Sequence, residues 1–515
     1  MNEDTGEGGA LATLREMRSY TVLWSGQLVS LIGSGMTIFA LLVWLYGETG
    51  QATSVSLLFL AVFGPEVVLS PFAGVVVDRY DRKRILIVSD GMVAVSTAGI
   101  LLIHHAGMLT PWSVYGLLAV GGTFHAFQFP ALTAATTLIV PKRHYGRASG
   151  MLSTAWALSD MMGPILAAVL LGVVGLTGVL LIDLLTFGAA LGTLAVVHIP
   201  KPRASREGRE ALPSWREDLA FGWRYILARR GLLYLLLFFF MGNLMGTMGW
   251  VLIQPMILAK TANDEVVLGT IMLLGGLGGI IGGVAMSVWG GPKRRVRGIV
   301  YGMVLGGGVG AIMVGLSGGF LFWALGLFLW FLVDAPTMGS SQSIWQSKVP
   351  PDLQGRVFSV RFFIALAGSL PAMLLAGPLA DHVFEPLMED ASGPLEWLFG
   401  SGPGAGMGLL ITVTGIVMLV VSLLARSSRE MWNIEDILPD HDDDDDGGGG
   451  EGDNDDEGDG EGDGGGDDGG DDGGDEGRAG DVEAGAGAPS EEAPEEGAGQ
   501  ADEPGGPAQE GPDEP

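Results

Sequence analysis

Twelve long apolar stretches, arranged as two sets of six, constrain this chain more than any other feature. The first six run at about 21–46, 52–77, 84–104, 111–138, 147–174 and 178–199. After a basic gap the rest follow at about 231–258, 265–289, 298–316, 319–345, 356–383 and 404–426. A hydrocarbon core about 30 Å thick is crossed by roughly 20 apolar residues in helical form. No water reaches the backbone there, so each crossing must bond its own N–H and C=O groups. The expected fold class is all-α integral membrane, with twelve transmembrane helices in two six-helix bundles. The expected divisions are an N-terminal segment 1–20, a first bundle 21–199, a linker 200–230, a second bundle 231–426 and a tail 427–515.

The formal net charge of −30 is misleading until it is divided. From Asp440 to Pro515 there are 31 acidic residues and one basic, Arg478, which leaves 27 acids and 27 bases for everything before it. The membrane body is neutral. From Asp440 on, the tail alternates Asp and Glu blocks with Gly, has Val482 as its one large apolar residue, and is expected to be disordered. No nucleic-acid partner is expected, since neither part carries a basic excess. Cysteine is absent, which removes disulfide and thiol chemistry. Residues 1–20 hold no apolar h-region, so insertion would rely on the first helix.

Lys and Arg alternate sharply between loops. Counting the N-terminus as cytoplasmic, 25 of the 28 fall in cytoplasmic segments and only Lys260 falls outside. The other two are Arg361, inside an apolar stretch, and Arg478 in the tail. This asymmetry predicts a multi-pass cell-membrane protein with both termini in the cytoplasm.

The two sets of six repeat one another. Val140-Pro141 precedes Gly146-Arg147 as Val349-Pro350 precedes Gly355-Arg356, an offset of 209 residues that also carries Gly74 onto Gly283. A same-orientation repeat of six helices implies a two-fold axis along the membrane normal. Between the halves, Ser214, Glu217 and the periodic Leu219, Phe221, Trp223, Ile226 and Leu227 predict a capped amphipathic helix on the inner face.

Helices 2 and 3 are joined by Gly74-Val75-Val76-Val77-Asp78-Arg79-Tyr80-Asp81-Arg82-Lys83-Arg84. An acid at a helix C-terminus faces the unfavourable end of the dipole, so Asp78 needs a compensating partner and could act as a latch between two states. This run resembles the signature loop of the major facilitator superfamily, Gly-x-x-x-Asp-Arg/Lys-x-Gly-Arg-Arg/Lys. Gly74, Asp78, Arg79, Arg82 and Lys83 match, while Asp81 stands where that pattern has Gly. Within the superfamily the chain is most similar to the macrolide-efflux and siderophore-exporter group of drug–proton antiporters. Asp183, Gly377-Pro378-Leu379-Ala380-Asp381 and Ile434-Glu435-Asp436-Ile437-Leu438-Pro439-Asp440 add to the likeness. Gly163-Pro164 resembles the Gly-Pro motif of such antiporters, with Ala167-Ala168 in place of its glycine pair. The resemblance implies the major facilitator fold and a central cavity lined by helices 1, 4, 7 and 10.

Charges at mid-membrane are costly and usually face a cavity or a partner. Glu66, Asp160 and Asp334 fall near the middles of helices 2, 5 and 10, and His125 lies at mid-depth in helix 4. Glu66 and Asp334 are the first candidates for proton coupling or substrate contact, then Asp160, with His125 as a relay and Asn243 as a polar companion. An interhelical hydrogen bond is the competing role for each. Asp90 and Asp183 read as structural. Trp24, Phe39, Trp44, Phe124, Phe127, Trp250 and Trp330 could stack on amphipathic or cationic substrates or belong to the interfacial belt or lipid face, which depth suggests for Trp24 and Trp44. The glycine run 275–283 crosses the membrane with no preceding strand, so it is helix packing rather than a nucleotide loop.

The expected function is alternating-access secondary transport, with proton-coupled efflux of small amphipathic molecules or drugs. The expected partners are a small-molecule substrate, the lipid bilayer and protons. Nucleotide, cofactor, metal and enzymatic chemistry are not expected. An importer or a lipid or siderophore transporter of the same fold is one alternative. Another is a non-transporting scaffold or sensor that works through the acidic tail.

Overall fold

A computed structural model of the chain describes residues 16–200 and 215–438. The expected linker start at 201–214 and the acidic tail from 439 lie outside the described residues. Every regular element among the described residues is helical. The first half holds α1 (Arg18–Thr49), α2 (Ala52–Arg79), α3 (Arg82–His105) and α4 (Pro111–Ile139). It ends in Tyr145–Val196, which breaks at Gly175 into α5 (145–174) and α6 (176–196). The second half holds α7 (Arg230–Lys260), α8 (Glu265–Trp289), α9 (Arg295–Gly315), α10 (Phe320–Lys348), α11 (351–389) and α12 (Ala405–Ser427). Among the described residues, ten helical spans are long and apolar enough to cross a bilayer, with α5 and α6 taken as one. Dividing that span at Gly175 and adding α4, whose His125, Gln128 and Pro130 make it more polar, gives twelve.

The register of α5 and α6 along α1 shows that they form a hairpin. Trp24 meets Met151 and Leu31 meets Ser159, so α5 runs with α1. The Cβ of a side chain at Gly26 would strike Thr193, and Thr37 bonds Asp183, so α6 runs against it. The reversal rests on Gly175, with φ 66° and ψ −176°, a region essentially reserved for glycine. A Cβ there would meet nothing within 4 Å, so the cost of Gly175→Ala is purely conformational. We expect a loss of about 1–3 kcal/mol, read as a lower apparent melting temperature in detergent.

The apolar cores reveal how the halves meet. Towards the end carrying the α1–α2 turn, one cluster joins both halves: Leu41, Leu45, Val55 and Leu58 pack in it with Val251, Ile257, Leu268 and Ala376. Towards the end carrying Arg18 and Ser427 the halves keep separate cores. Leu23, Leu86, Leu132 and Leu194 belong to one, and Leu232, Val300, Trp345 and Val349 to the other. The halves are fused at one face and independent at the other.

The amphipathic helix is present as Trp215–Ala228, and it docks on protein rather than lying free on lipid. Ile226 is fully buried in the second-half core, and the Tyr225 hydroxyl donates to the Lys348 carbonyl at 3.2 Å. The expected capping residue Ser214 lies outside the described residues. One boundary needs correction. The stretch expected to be tail from 427 onward begins with ordered turns, Arg429–Trp432 and Ile434–Ile437. Glu435 accepts from the backbone N–H groups of Arg295 and Val296 and thereby caps α9, while Lys348 Nζ donates to the Glu435 and Leu438 carbonyls. Arg297 and Arg426 flank the ring of Trp432. Local capping and cation–π contact hold this segment, which composition alone does not reveal.

Candidate functional site

A cavity of about 780 Å³ lies between the halves. Residues of α1, α2, α5, α7, α8, α9 and α10, with Met418 of α12, line it. Its position follows from small residues that let the helices approach. Gly35 of α1 faces Gly163 of α5 so closely that a Cβ on Gly163 would lie 3.0 Å from the Gly35 carbonyl carbon. On α8, Gly276 abuts Met161 of the other half, while Gly278 and Gly282 seat against the backbone of α10. In α9 the glycine-rich Val304–Gly310 winds as a π-helix, and Gly306 and Gly307 face the cavity. Widened turns of this kind recur at functional sites.

Asp160 of α5 and Asp334 of α10 line this cavity from opposite halves, with Asn243, Thr247, Gln254 and Ser159 among the other polar groups. Neither carboxylate meets a hydrogen-bond partner or an ion pair among the described residues, and no Lys, Arg or His lines the cavity. Asp334 opens the second segment of α10, after a break at Val333 (φ −94°, ψ −5°). Asn243 spends its amide on the Phe239 carbonyl of its own helix, at 2.9 Å. Phe39, Phe59, Phe63, Trp156, Trp250, Trp330 and Phe331 supply the aromatic walls. Two carboxylates with no fixed countercharge, in a mostly apolar chamber, require a cation or a proton from elsewhere.

The structure divides the sequence candidates into two groups. Asp334, Asp160 and Asn243 share the cavity, whereas Glu66 and His125 pair with each other away from its lining, Oε2 to Nδ1 at 3.4 Å. His125 also stands edge-on to Trp156, ring centroids 6.0 Å apart, so the pair backs onto a cavity wall. Helix α4 contributes no lining residue, contrary to the expected set of helices 1, 4, 7 and 10. The cause is steric. Gly122 presses α4 so hard onto α2 that a Cβ would strike the Val62 carbonyl, which leaves α4 behind α2. The α5 face takes its place, and Trp156 and Asp160, four residues apart, share one side of that helix.

Of the signature-loop residues, the side chains of Gly74, Asp78 and Arg79 lie outside the described set, as does that of Arg356. Arg82 reaches the Ala134 carbonyl at 3.3 Å. Lys83 Nζ reaches those of Ala195 and Val197, a cation at the carbonyl end of α6. Asp81 accepts from the N–H groups of Lys83 and Arg84 and caps α3, which gives a local reason for acid where the pattern has glycine. Nearby, Glu16 is held below the usual carboxylate range by hydrogen bonds from His144 and Arg143. Among the described residues Arg361 meets no acid; it donates to Gln342 and Ser341 and lies over the Trp345 ring.

Residues 23–373 match the Major Facilitator Superfamily across most of the chain. The chain belongs to that superfamily. Macrolide efflux protein A of Streptococcus pyogenes is 30% identical over 405 residues, covering 75% of this chain and 93% of the relative. The Multidrug efflux pump Tap of Mycolicibacterium fortuitum is 24% identical, covering 68% of this chain and 86% of the relative. A bacterial homologue of the iron transporter ferroportin, solved in an inward-facing state, shares the fold with a TM-score of 0.57 at 15% identity, over 79% of this chain and 98% of that one. The chain is thus a polytopic transporter of the macrolide-efflux group.

Proposed function

We propose that this superfamily member exports small amphipathic cations by alternating access, driven by protons, with the termini and the end where the halves keep separate cores in the cytoplasm. The observation that carries the reading is the pair of unpartnered carboxylates, Asp160 and Asp334, one from each half, in a shared aromatic chamber. A chamber of about 780 Å³ suits a drug-sized molecule. Bound substrate cation and bound proton neutralise the same charges, so they compete, and that competition is the physical basis of antiport. The fused core at one face and separate cores at the other provide the geometry for rocking the halves about a central site. The efflux names of the similar proteins favour outward movement.

The test is transport of cationic dyes and a macrolide in inside-out vesicles under an imposed pH gradient, with a sodium gradient as control. Asp160→Asn and Asp334→Asn should each lower proton-driven transport about tenfold or more, the scale of one lost charge-assisted contact. Glu66→Gln should do less, because Glu66 already has His125 beside it. Proton coupling that survives both Asp substitutions would refute the assignment.

A further inference from the structure

We infer that Asp381 is the gating latch of the closed face, a carboxylate from the second half that caps a helix of the first. Its Oδ1 accepts from the Ala52 N–H at 3.0 Å and its Oδ2 from the Thr53 N–H at 2.7 Å. These are the first two residues of α2, and Gln51 before them offers no side-chain cap of its own. The N–H groups of Ala52 and Thr53, at the positive dipole end of α2, are therefore satisfied across the seam. The inference rests on the alternating-access reading above, in which this seam must part.

The local sequence explains why Asp381 can reach. Gly377, one turn earlier, brings the α11 backbone against Thr53, so that a Cβ there would strike Thr53 and lie 2.6 Å from Ser56 Oγ. Pro378 follows, and Ala380–Phe384 then widens into a π-helix that carries Asp381. Glu385, at the end of that turn, points the other way. It accepts from the Gly404 and Met407 N–H groups and so caps α12 within its own half. Two acids four residues apart thus serve two different helix ends, one inside the half and one across it. The seam also hides the hydroxyls of Thr53 and Ser56 without hydrogen-bond partners. Those orphaned groups gain water when the seam parts, which offsets the loss of the cap and keeps the two states close in free energy.

The natural chain has no cysteine, so a single Ser56→Cys reports on the seam alone. Ser56 is 0% exposed. In purified detergent-solubilised protein, a hydrophilic maleimide should label it far more slowly than an exposed His105→Cys reference. Adding Asp381→Asn should speed labelling of Ser56→Cys roughly tenfold, the upper scale of a lost helix cap. Gly377→Ala, which obstructs closure without touching the carboxylate, should act in the same direction. Labelling that stays within about twofold of the parent in both variants would overturn the latch, as would a parent in which the Ser56 position reacts as fast as the reference. The readout needs neither substrate nor protons. If labelling responds as expected while no vesicle assay detects transport, the latch stands and the transport reading falls.

Discussion

Replacing Gly278 and Gly282 together with leucine should abolish recovery of folded protein, whereas leucine at Gly283 should be tolerated. On α8 a Cβ at Gly278 would collide with the Phe328 carbonyl, and one at Gly282 with that of Leu332. The obstacle is backbone, which cannot rotate away as a side chain can. Gly275 is the instructive contrast, because its Cβ would meet only the Leu327 and Phe331 side chains, at 2.8 and 3.2 Å. A Cβ at Gly283 would meet nothing within 4 Å. Overpacking costs about 1–3 kcal/mol even where side chains can adjust, and here the two helices must separate along their length. In a membrane, that close packing is a main source of helix association. The measurement is the monodisperse fraction by size-exclusion chromatography and the apparent melting temperature. A Gly282→Leu protein as stable as Gly283→Leu would show that α8 and α10 do not seat backbone to backbone. Function follows the same contact, since Phe331 and Asp334 of α10 reach the cavity from the helix that α8 positions.

The helices were legible because membrane-spanning length and apolar content leave few other solutions, and even the α5–α6 reversal fell between two expected spans. The irregularities inside them were not legible. A glycine run such as 306–308 is compatible with α or π winding, and the residue types alone do not distinguish the two. For the site, a carboxylate in an apolar run stands out wherever it occurs, so Asp160 and Asp334 were visible as candidates. Which candidates meet depends on the rotation of each helix about its axis, and that is set by contacts hundreds of residues away. Glu66 and His125 pair on neighbouring helices for that reason, while Asp160 and Asp334 share a chamber across the halves. Trp156 could have been found, since it lies one turn before Asp160. Asp381 stood out as part of a motif, but its partner could not be found, because nothing in an acid near a loop indicates the start of a helix 329 residues away.

Asp90→Leu should destabilise the first half by about 2–5 kcal/mol, the cost of leaving two buried amide donors unpaired. Asp90 is fully buried and forms no ion pair among the described residues. Its Oδ2 accepts from Gln27 Nε2 at 2.9 Å and its Oδ1 from Gln128 Nε2 at 2.6 Å, while Gln128 also donates to Gln27 Oε1 at 3.1 Å. Three helices, α1, α3 and α4, are thereby joined at one point. Asp183 looks similar, being 1% exposed and bonded to Thr37 at 2.8 Å and Thr97 at 3.3 Å, yet Asp183→Leu should cost less. A threonine hydroxyl that loses its acceptor can turn to a carbonyl in its own helix, whereas a glutamine amide held between helices has no such recourse. Asp90→Asn separates structure from coupling. If Asp90 is only a tie, an amide there can still bond once the neighbouring glutamines reorient, and proton-driven transport should persist at near-parent stability. A stable Asp90→Asn protein that binds dye but no longer responds to the pH gradient would instead make the Asp90 carboxylate a proton carrier and move the coupling site from the cavity into the first bundle.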